Sequence, residues 1–96
     1  MSRKRYAALI TTDGELINKT PKNGTDFSLE ELQEFVGGYI EILRMEGHLI
    51  MVVNEEGKLL DLPSNKTATK EYWFYTKNYS DYIVGNVLIC ESCLVK

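Results

Sequence analysis

The segment from Ser28 to Gly38 carries both a start signal and a stop signal for a helix. Ser28 and Glu31 form a capping box, because the hydroxyl and the carboxylate three residues later each satisfy one exposed backbone amide. Apolar side chains between Ser28 and Gly37 recur at helical spacing and share one face. Gly37-Gly38 ends the helix, since glycine adopts the left-handed cap conformation without steric cost. An amphipathic helix is therefore fixed within the first half of the chain.

Two β-hairpins are predicted, one on each side of that helix. Residues 5–12 form a strand that turns at Asp13-Gly14, and residues 15–20 pair back. Residues 39–44 and 48–54 are rich in β-branched and apolar residues and form the second hairpin. We expect this second hairpin at the centre of the sheet.

Three further elements follow the second hairpin. Residues 58–62 read as a short strand that Pro63 stops. Asn65 is the predicted N-cap of a second helix that runs to about Thr76. Residues 83–95 read as a closing strand interrupted by a bend at Gly85-Asn86. The sequence thus predicts an α+β fold, a mixed or antiparallel sheet built from hairpins with two helices packed on it.

Length and charge restrict the class of protein. Ninety-six residues, 44% of them hydrophobic, suit a single domain that folds without disulfides. The net charge of −3 argues against nucleic acid as a partner, and Arg3-Lys4-Arg5 is interpreted as a solvated tail, so residues 1–4 are expected to be flexible. No apolar run suggests a membrane span or a signal peptide, which predicts a cytoplasmic protein.

No strong catalytic or metal motif is present. Cys90 and Cys93 have the spacing of a chelating or redox pair, but an odd separation on a strand sends the two thiols to opposite faces. They are interpreted as reduced structural cysteines. His48 is the one imidazole and is placed at the rim of a hairpin. We therefore expect no metal, no cofactor and no catalytic residues.

Two segments of the second predicted helix are candidate contact sites. Asn65, Lys66, Thr67 and Thr69 place amides, hydroxyls and an ammonium together at a helix start, which suits a small anion, although an ordinary N-cap explains Asn65 equally. Residues 72–75 are four consecutive aromatics, and they cannot all point into the core. At least one, with Trp73 as a candidate, should lie near the surface and serve a partner or a planar ligand.

An ordered set of short motifs carries a family resemblance over roughly residues 29–89. The motifs are Val36-Gly37-Gly38-Tyr39-Ile40-Glu41, Val53-Asn54-Glu55-Glu56-Gly57-Lys58-Leu59, Leu62-Pro63-Ser64-Asn65-Lys66-Thr67-Ala68-Thr69 and Ile83-Val84-Gly85-Asn86-Val87. The chain resembles the domain of unknown function 3846 family, small proteins of phages, plasmids and many bacteria. The resemblance implies an accessory protein of a mobile element and carries over no catalytic residue.

The predicted function is a non-catalytic binding module for a host protein or a small polar ligand. The glycines, Pro63 and Ala68 of the motifs have sufficient structural explanations. The predicted site therefore consists of polar and aromatic residues, namely Tyr39, Glu41, Asn54, Asn65, Thr69 and Trp73. One alternative is a homodimer formed through an open sheet edge. Another is a small hydrolase or transferase that uses Glu41 with His48, and mimicry of DNA is disfavoured by the modest charge.

Overall fold

A computed structural model describes residues 6–95, and five strands form one sheet over that range. The strands are β1 (Ala7–Ile10), β2 (Leu16–Asn18), β3 (Ile40–Arg44), β4 (Leu49–Asn54) and β5 (Val87–Glu91). The helices are α1 (Leu29–Val36) and α2 (Lys66–Thr76), and a 3-10 turn, Ser92–Leu94, follows β5. The α+β prediction with two helices is confirmed.

The sheet order is β2-β1-β5-β4-β3, and all four strand pairs are antiparallel. Both predicted hairpins form, β1–β2 and β3–β4. The second hairpin is not at the centre of the sheet, however, because β5 inserts between β1 and β4 and leaves β3 at an edge. The apolar residues on both faces of β5 are the physical reason, since all four residues from Val87 to Cys90 are buried.

The two helices pack on opposite faces of the sheet. Successive side chains of β4 and β5 point to opposite faces, and each set packs with a different helix. Ile50, Val52 and Leu88 lie in one core cluster with Leu32 and Val36 of α1. The second cluster joins the intervening strand residues to α2, and its members include Met51, Val53, Ile89, Ala68 and Tyr72. A buried central strand flanked by two helices gives three layers.

The start and end of α1 are as predicted. The backbone amide of Ser28 donates to Glu31 Oε1 at 2.9 Å, and the Glu31 amide donates to Ser28 Oγ at 3.1 Å. The Ser28 amide and the Lys22 amide, which both donate to the Glu31 carboxylate, hold the pKa of that carboxyl below its usual value. Gly37 then has φ 80°, the left-handed cap conformation.

Three boundaries differ from the sequence prediction. The first turn has three loop residues rather than two, because Thr11 bonds with Glu15 across it and Gly14 closes it at φ 90°. Residues 58–62 form turns and not a strand, since they have no neighbouring strand to pair with in the described sheet. The closing strand is confined to Val87–Glu91, because the predicted bend at Gly85, with φ 75°, precedes it and the 3-10 turn Ser92–Leu94 ends it before residue 95. Arg3-Lys4-Arg5 lies outside the described residues.

Candidate functional site

A cleft of about 170 Å³ opens on the α2 face where β3 and β4 meet the loop of residues 55–62. Residues 81–84, which precede β5, form its other wall. Leu43, Val53 and Ile83 supply apolar lining. Glu41, Glu55, Lys58 and Asp81 supply the charged groups. The cleft therefore combines an apolar base with three carboxylates and one ammonium.

Lys58 ties the two walls of this cleft together. Its Nζ lies 2.5 Å from Asp81 Oδ1 and 4.3 Å from the centre of the Tyr82 ring. The hydrogen bond between the two side chains raises the pKa of Lys58 and lowers the pKa of Asp81. Both groups are therefore charged near neutral pH, and the pair joins the loop to residues 81–84.

The loop of residues 55–62 is ordered by its own backbone and by Asn54. The Asn54 side chain accepts a hydrogen bond from the Glu56 amide at 2.8 Å and donates to the Val36 carbonyl at 3.1 Å. Within the loop, the Leu62 amide donates to the Gly57 carbonyl at 3.0 Å. A Cβ on Gly57 would come within 2.8 Å of Val84, so only glycine allows this close approach.

Two consecutive leucines project from this ordered loop into solvent. Leu59 is 86% exposed and Leu60 is 57% exposed. Leu59 borders the cleft, whereas Leu60 and the exposed ring of Tyr39 border a second groove of about 250 Å³ beside the end of α1. We call the rims of the cleft and the groove together the 55–62 surface, which comprises Tyr39, Glu41, Glu55, Glu56, Lys58, Leu59, Leu60, Asp81 and Tyr82.

Half of the residues predicted for the site lie at this surface. Tyr39 and Glu41 are exposed on it, in the groove and in the cleft respectively. Asn54 borders both but is buried, and its hydrogen bonds to Glu56 and Val36 position the loop. A contact with a partner thus remains a prediction for Tyr39 and Glu41, while Asn54 has a structural explanation.

The other three predicted residues are Asn65, the N-cap of α2, and Thr69 and Trp73 on α2, and they bond to residues 81–85. The Asn65 amide group is fully buried and donates to the carbonyls of Ile10 and Gly85 at 3.0 and 2.8 Å. Thr69 Oγ1 accepts from the Ile83 amide at 2.9 Å, and Trp73 Nε1 donates to the Asp81 carbonyl at 2.6 Å. These hydrogen bonds fix the position of the segment that forms one wall of the cleft.

At the predicted anion site at the start of α2, the amides of Ala68 and Thr69 and the Thr69 hydroxyl already donate within the protein. Asn65 Oδ1 already accepts the Ala68 amide at 3.0 Å, and the Asn65 carbonyl accepts both the Thr69 amide and the Thr69 hydroxyl. A bound anion would have to displace these buried bonds. The geometry therefore favours the N-cap explanation of Asn65 over an anion site.

Sequence reasoning missed the residues that give this surface its character: Lys58, Leu59, Leu60, Asp81 and Tyr82. Residues 58–62 look like a strand because of the apolar pair at their centre. A usable signal was present, since Gly57 and Pro63 leave only five residues between two chain-turning positions. A short apolar segment between two turn formers also suits an exposed loop.

The hydrolase alternative requires Glu41 and His48 to act together, and the register keeps them apart. Glu41 pairs with Val53, whereas His48 precedes Leu49 at the far end of β4. Val53 lies four positions along the strand from Leu49, which is roughly 13 Å. One substrate atom cannot contact both side chains at that separation, so the geometry does not support this pair as an acid–base couple.

Cys90 fits the predicted structural role, whereas Cys93 does not lie on the strand from which the opposite-faces prediction was argued. Cys90 is buried on β5, and burial raises the pKa of its thiol to about 12, whereas Cys93 is exposed on the 3-10 turn. Over residues 6–95, no group of three or more His, Cys, Asp or Glu side chains is arranged to hold a metal ion. Within the same range, no helix is long and apolar enough to cross a membrane.

Comparison with known proteins identifies a family. No curated protein and no solved structure matches the chain. One family model matches residues 7–94, which is nearly the whole sequence, and its description is Domain of unknown function (DUF3846). The resemblance seen in the short motifs is confirmed, and the chain belongs to the DUF3846 family.

Proposed function

We propose that the protein is a non-catalytic binding module that recognises a protein partner through the 55–62 surface. The observation that carries this proposal is the exposure of Leu59 and Leu60 on a loop whose backbone is hydrogen-bonded to itself and to the Asn54 side chain. Following the family resemblance, the partner is a cytoplasmic protein of the host, and the module is an accessory protein of a mobile element.

Exposed leucines on an ordered loop favour a protein interface. Leu59 and Leu60 have Tyr39 and Tyr82 as exposed neighbours across the groove and the cleft. Clusters of exposed apolar side chains of this kind mark interaction sites in soluble proteins. Because the loop is ordered before binding, little conformational entropy is lost when a partner covers it.

The charges around these leucines select the partner's chemistry. Glu41, Glu55 and Asp81 line the cleft with Lys58, and Glu56 lines the groove, so the surface carries four carboxylates and one ammonium. Lys58 is already paired with Asp81. The complementary partner surface presents apolar side chains for the leucines and arginine or lysine around them.

The test compares three forms of the protein in quantitative capture from host lysate. The first is the wild type, the second carries Leu59→Ser with Leu60→Ser, and the third carries Phe74→Ser as a control. Phe74 is also exposed, but it lies on α2 and lines neither the cleft nor the groove. Circular dichroism first establishes that all three forms are folded.

We expect one protein to be retained by the wild type and the control and lost with the double variant. Retention should weaken as salt increases, because rim charges are screened. Equal retention by all three forms, or no specific retention by the wild type, would contradict the proposal.

Self-association along β3 is a second candidate function. β3 is an edge strand with exposed Ile42 near its middle, and such an edge offers unpaired backbone groups to another strand. Sedimentation of the wild type and of Ile42→Lys over a range of concentrations tests this candidate. A concentration-dependent dimer that the lysine abolishes would support it, and a monomer at all concentrations would exclude it.

A further inference from the structure

A cavity of about 310 Å³, separate from the cleft and the groove, lies on the α2 face at the opposite end of β4 from the 55–62 surface. Leu49 and Ile89 line it from the sheet. Glu71 and Tyr75 line it from α2, and Tyr6 lines it from just before β1. Its volume is at the lower end of the roughly 300–1,000 Å³ that is common for small-molecule sites.

Three polar side chains of this cavity converge without binding to the protein. Among residues 6–95, no hydrogen bond or ion pair joins the Tyr6 hydroxyl, the Tyr75 hydroxyl or the Glu71 carboxylate to another side chain or to the backbone. They are nevertheless close enough to interact electrostatically. Burial, the Glu71 charge and Tyr75 together raise the pKa of Tyr6.

The rest of the lining is apolar. Ile89 is buried on the central strand, and Leu49 is half-buried at the start of β4. The cavity therefore has a hydrocarbon base, two phenol rings and one carboxylate. An apolar base with a few converging polar groups is the common composition of a small-ligand site.

We propose that this cavity binds a small organic ammonium with an apolar body, of the size of an arylalkylamine. The Glu71 carboxylate pairs with the ammonium, and the hydroxyls of Tyr6 and Tyr75 accept its remaining hydrogen bonds. The phenol rings also attract a cation through their faces. Leu49 and Ile89 contact the hydrocarbon part, and Glu71 repels anionic ligands.

This site is independent of the proposed protein interface. It shares no lining residue with the cleft or the groove of the 55–62 surface. Tyr75 also gives a role to one of the four consecutive aromatics, because it lines this cavity while Tyr72 packs into the core. Either proposal can therefore fail while the other stands.

The test is an NMR titration of isotope-labelled protein with 2-phenylethylamine, in which the chemical shifts of the backbone amides report binding. The neutral analogue 2-phenylethanol has nearly the same shape and lacks the charge. Glu71→Gln removes the charge of the site and keeps the side-chain size. Glu30→Gln is the matched control, since Glu30 is an exposed helical glutamate on α1, outside this cavity.

We expect saturable shifts at Tyr6, Leu49, Glu71, Tyr75 and Ile89 with the amine. Binding should be about tenfold weaker for the alcohol and about tenfold weaker for Glu71→Gln, because each loses the charge-assisted hydrogen bond. Glu30→Gln should bind as the wild type does. Equal binding of amine and alcohol, an unchanged affinity in Glu71→Gln, or no saturable shift up to about 10 mM amine would overturn the proposal.

Discussion

Replacing Asn65 with alanine should lower the free energy of unfolding by about 3–4 kcal/mol. The side chain is fully buried, and its amide contacts three backbone groups from different parts of the fold. It accepts from the Ala68 amide at the start of α2 and donates to the carbonyls of Ile10 and Gly85. One side chain thus joins α2, β1 and the bend before β5.

The magnitude follows from these three bonds. Loss of an N-cap costs about 1 kcal/mol. Each buried carbonyl left with a missing donor costs at least about 1 kcal/mol, and the missing atoms leave a small void. Asn65→Ser should recover about 1 kcal/mol of the loss, because serine restores the cap acceptor but reaches neither carbonyl.

Equilibrium unfolding in urea measures this effect, with Asn18→Ala as the control. Asn18 is exposed on the edge strand β2, so its replacement should change the free energy of unfolding by less than about 0.5 kcal/mol. The dependence of that free energy on urea should be the same for all variants. A cost below about 1 kcal/mol for Asn65→Ala would refute the reasoning.

Three further predictions concern acid, chain conformation and thiol reactivity. Folding lowers the pKa of Glu31 from 4.5, so the charged carboxylate stabilises the fold above that pH, and this stabilisation is lost as pH falls through the folded pKa. The difference in urea midpoint between wild type and Glu31→Gln should therefore shrink as the pH is lowered over that range. Gly85→Ala should cost about 2 kcal/mol by urea unfolding, since a Cβ there lies 2.9 Å from a leucine side chain, whereas Gly24→Ala, with a similar φ and open space, should cost only about 1 kcal/mol. In a thiol-labelling assay, exposed Cys93 should react in the native protein, and Cys90, buried and with a thiol pKa of about 12, should react only after unfolding; equal native rates would contradict this.

Local chemistry accounts for the parts of the fold that the sequence predicts well. The capping box of α1, the N-cap of α2 and the glycine at φ 80° after α1 depend on residues close together in the chain. The strand order depends on contacts between distant segments. The apolar run from Val87 to Cys90 indicates a strand that is buried on both faces, but it does not specify which strands flank it. The prediction that the second hairpin lies at the centre is wrong because β5 takes that place between the two hairpins.

The residues predicted for the candidate site also fall into two groups, those that lie at the surface and those whose bonding partners are distant in the sequence. Tyr39 and Glu41 were identified because packing does not explain them, and both lie at the surface. Asn54 and Asn65 seemed equally unexplained, yet they bond to backbone groups 18 and 55 residues away, respectively. Only the fold shows that such partners are within reach. Polar motif residues are therefore ambiguous until the burial of their side chains is known.

For Leu59 and Leu60 the sequence prediction is wrong in the opposite direction, because it expects buried side chains where the structure has exposed ones. An apolar pair predicts burial when no other information is available. In the fold, Gly57 packs against Val84 and Lys58 binds Asp81, and these contacts hold the loop so that Leu59 and Leu60 face solvent. The feature that carries the functional proposal is thus a consequence of tertiary contacts.

Site-specific photo-crosslinking in host cells tests the central claim most directly. A photoreactive phenylalanine analogue replaces Leu60 in one form and exposed Phe74 on α2 in the other. We predict a crosslinked adduct of one defined mass from position 60 and none from position 74. The same adduct from both positions, or an adduct from position 74 alone, would contradict a binding site at the 55–62 surface.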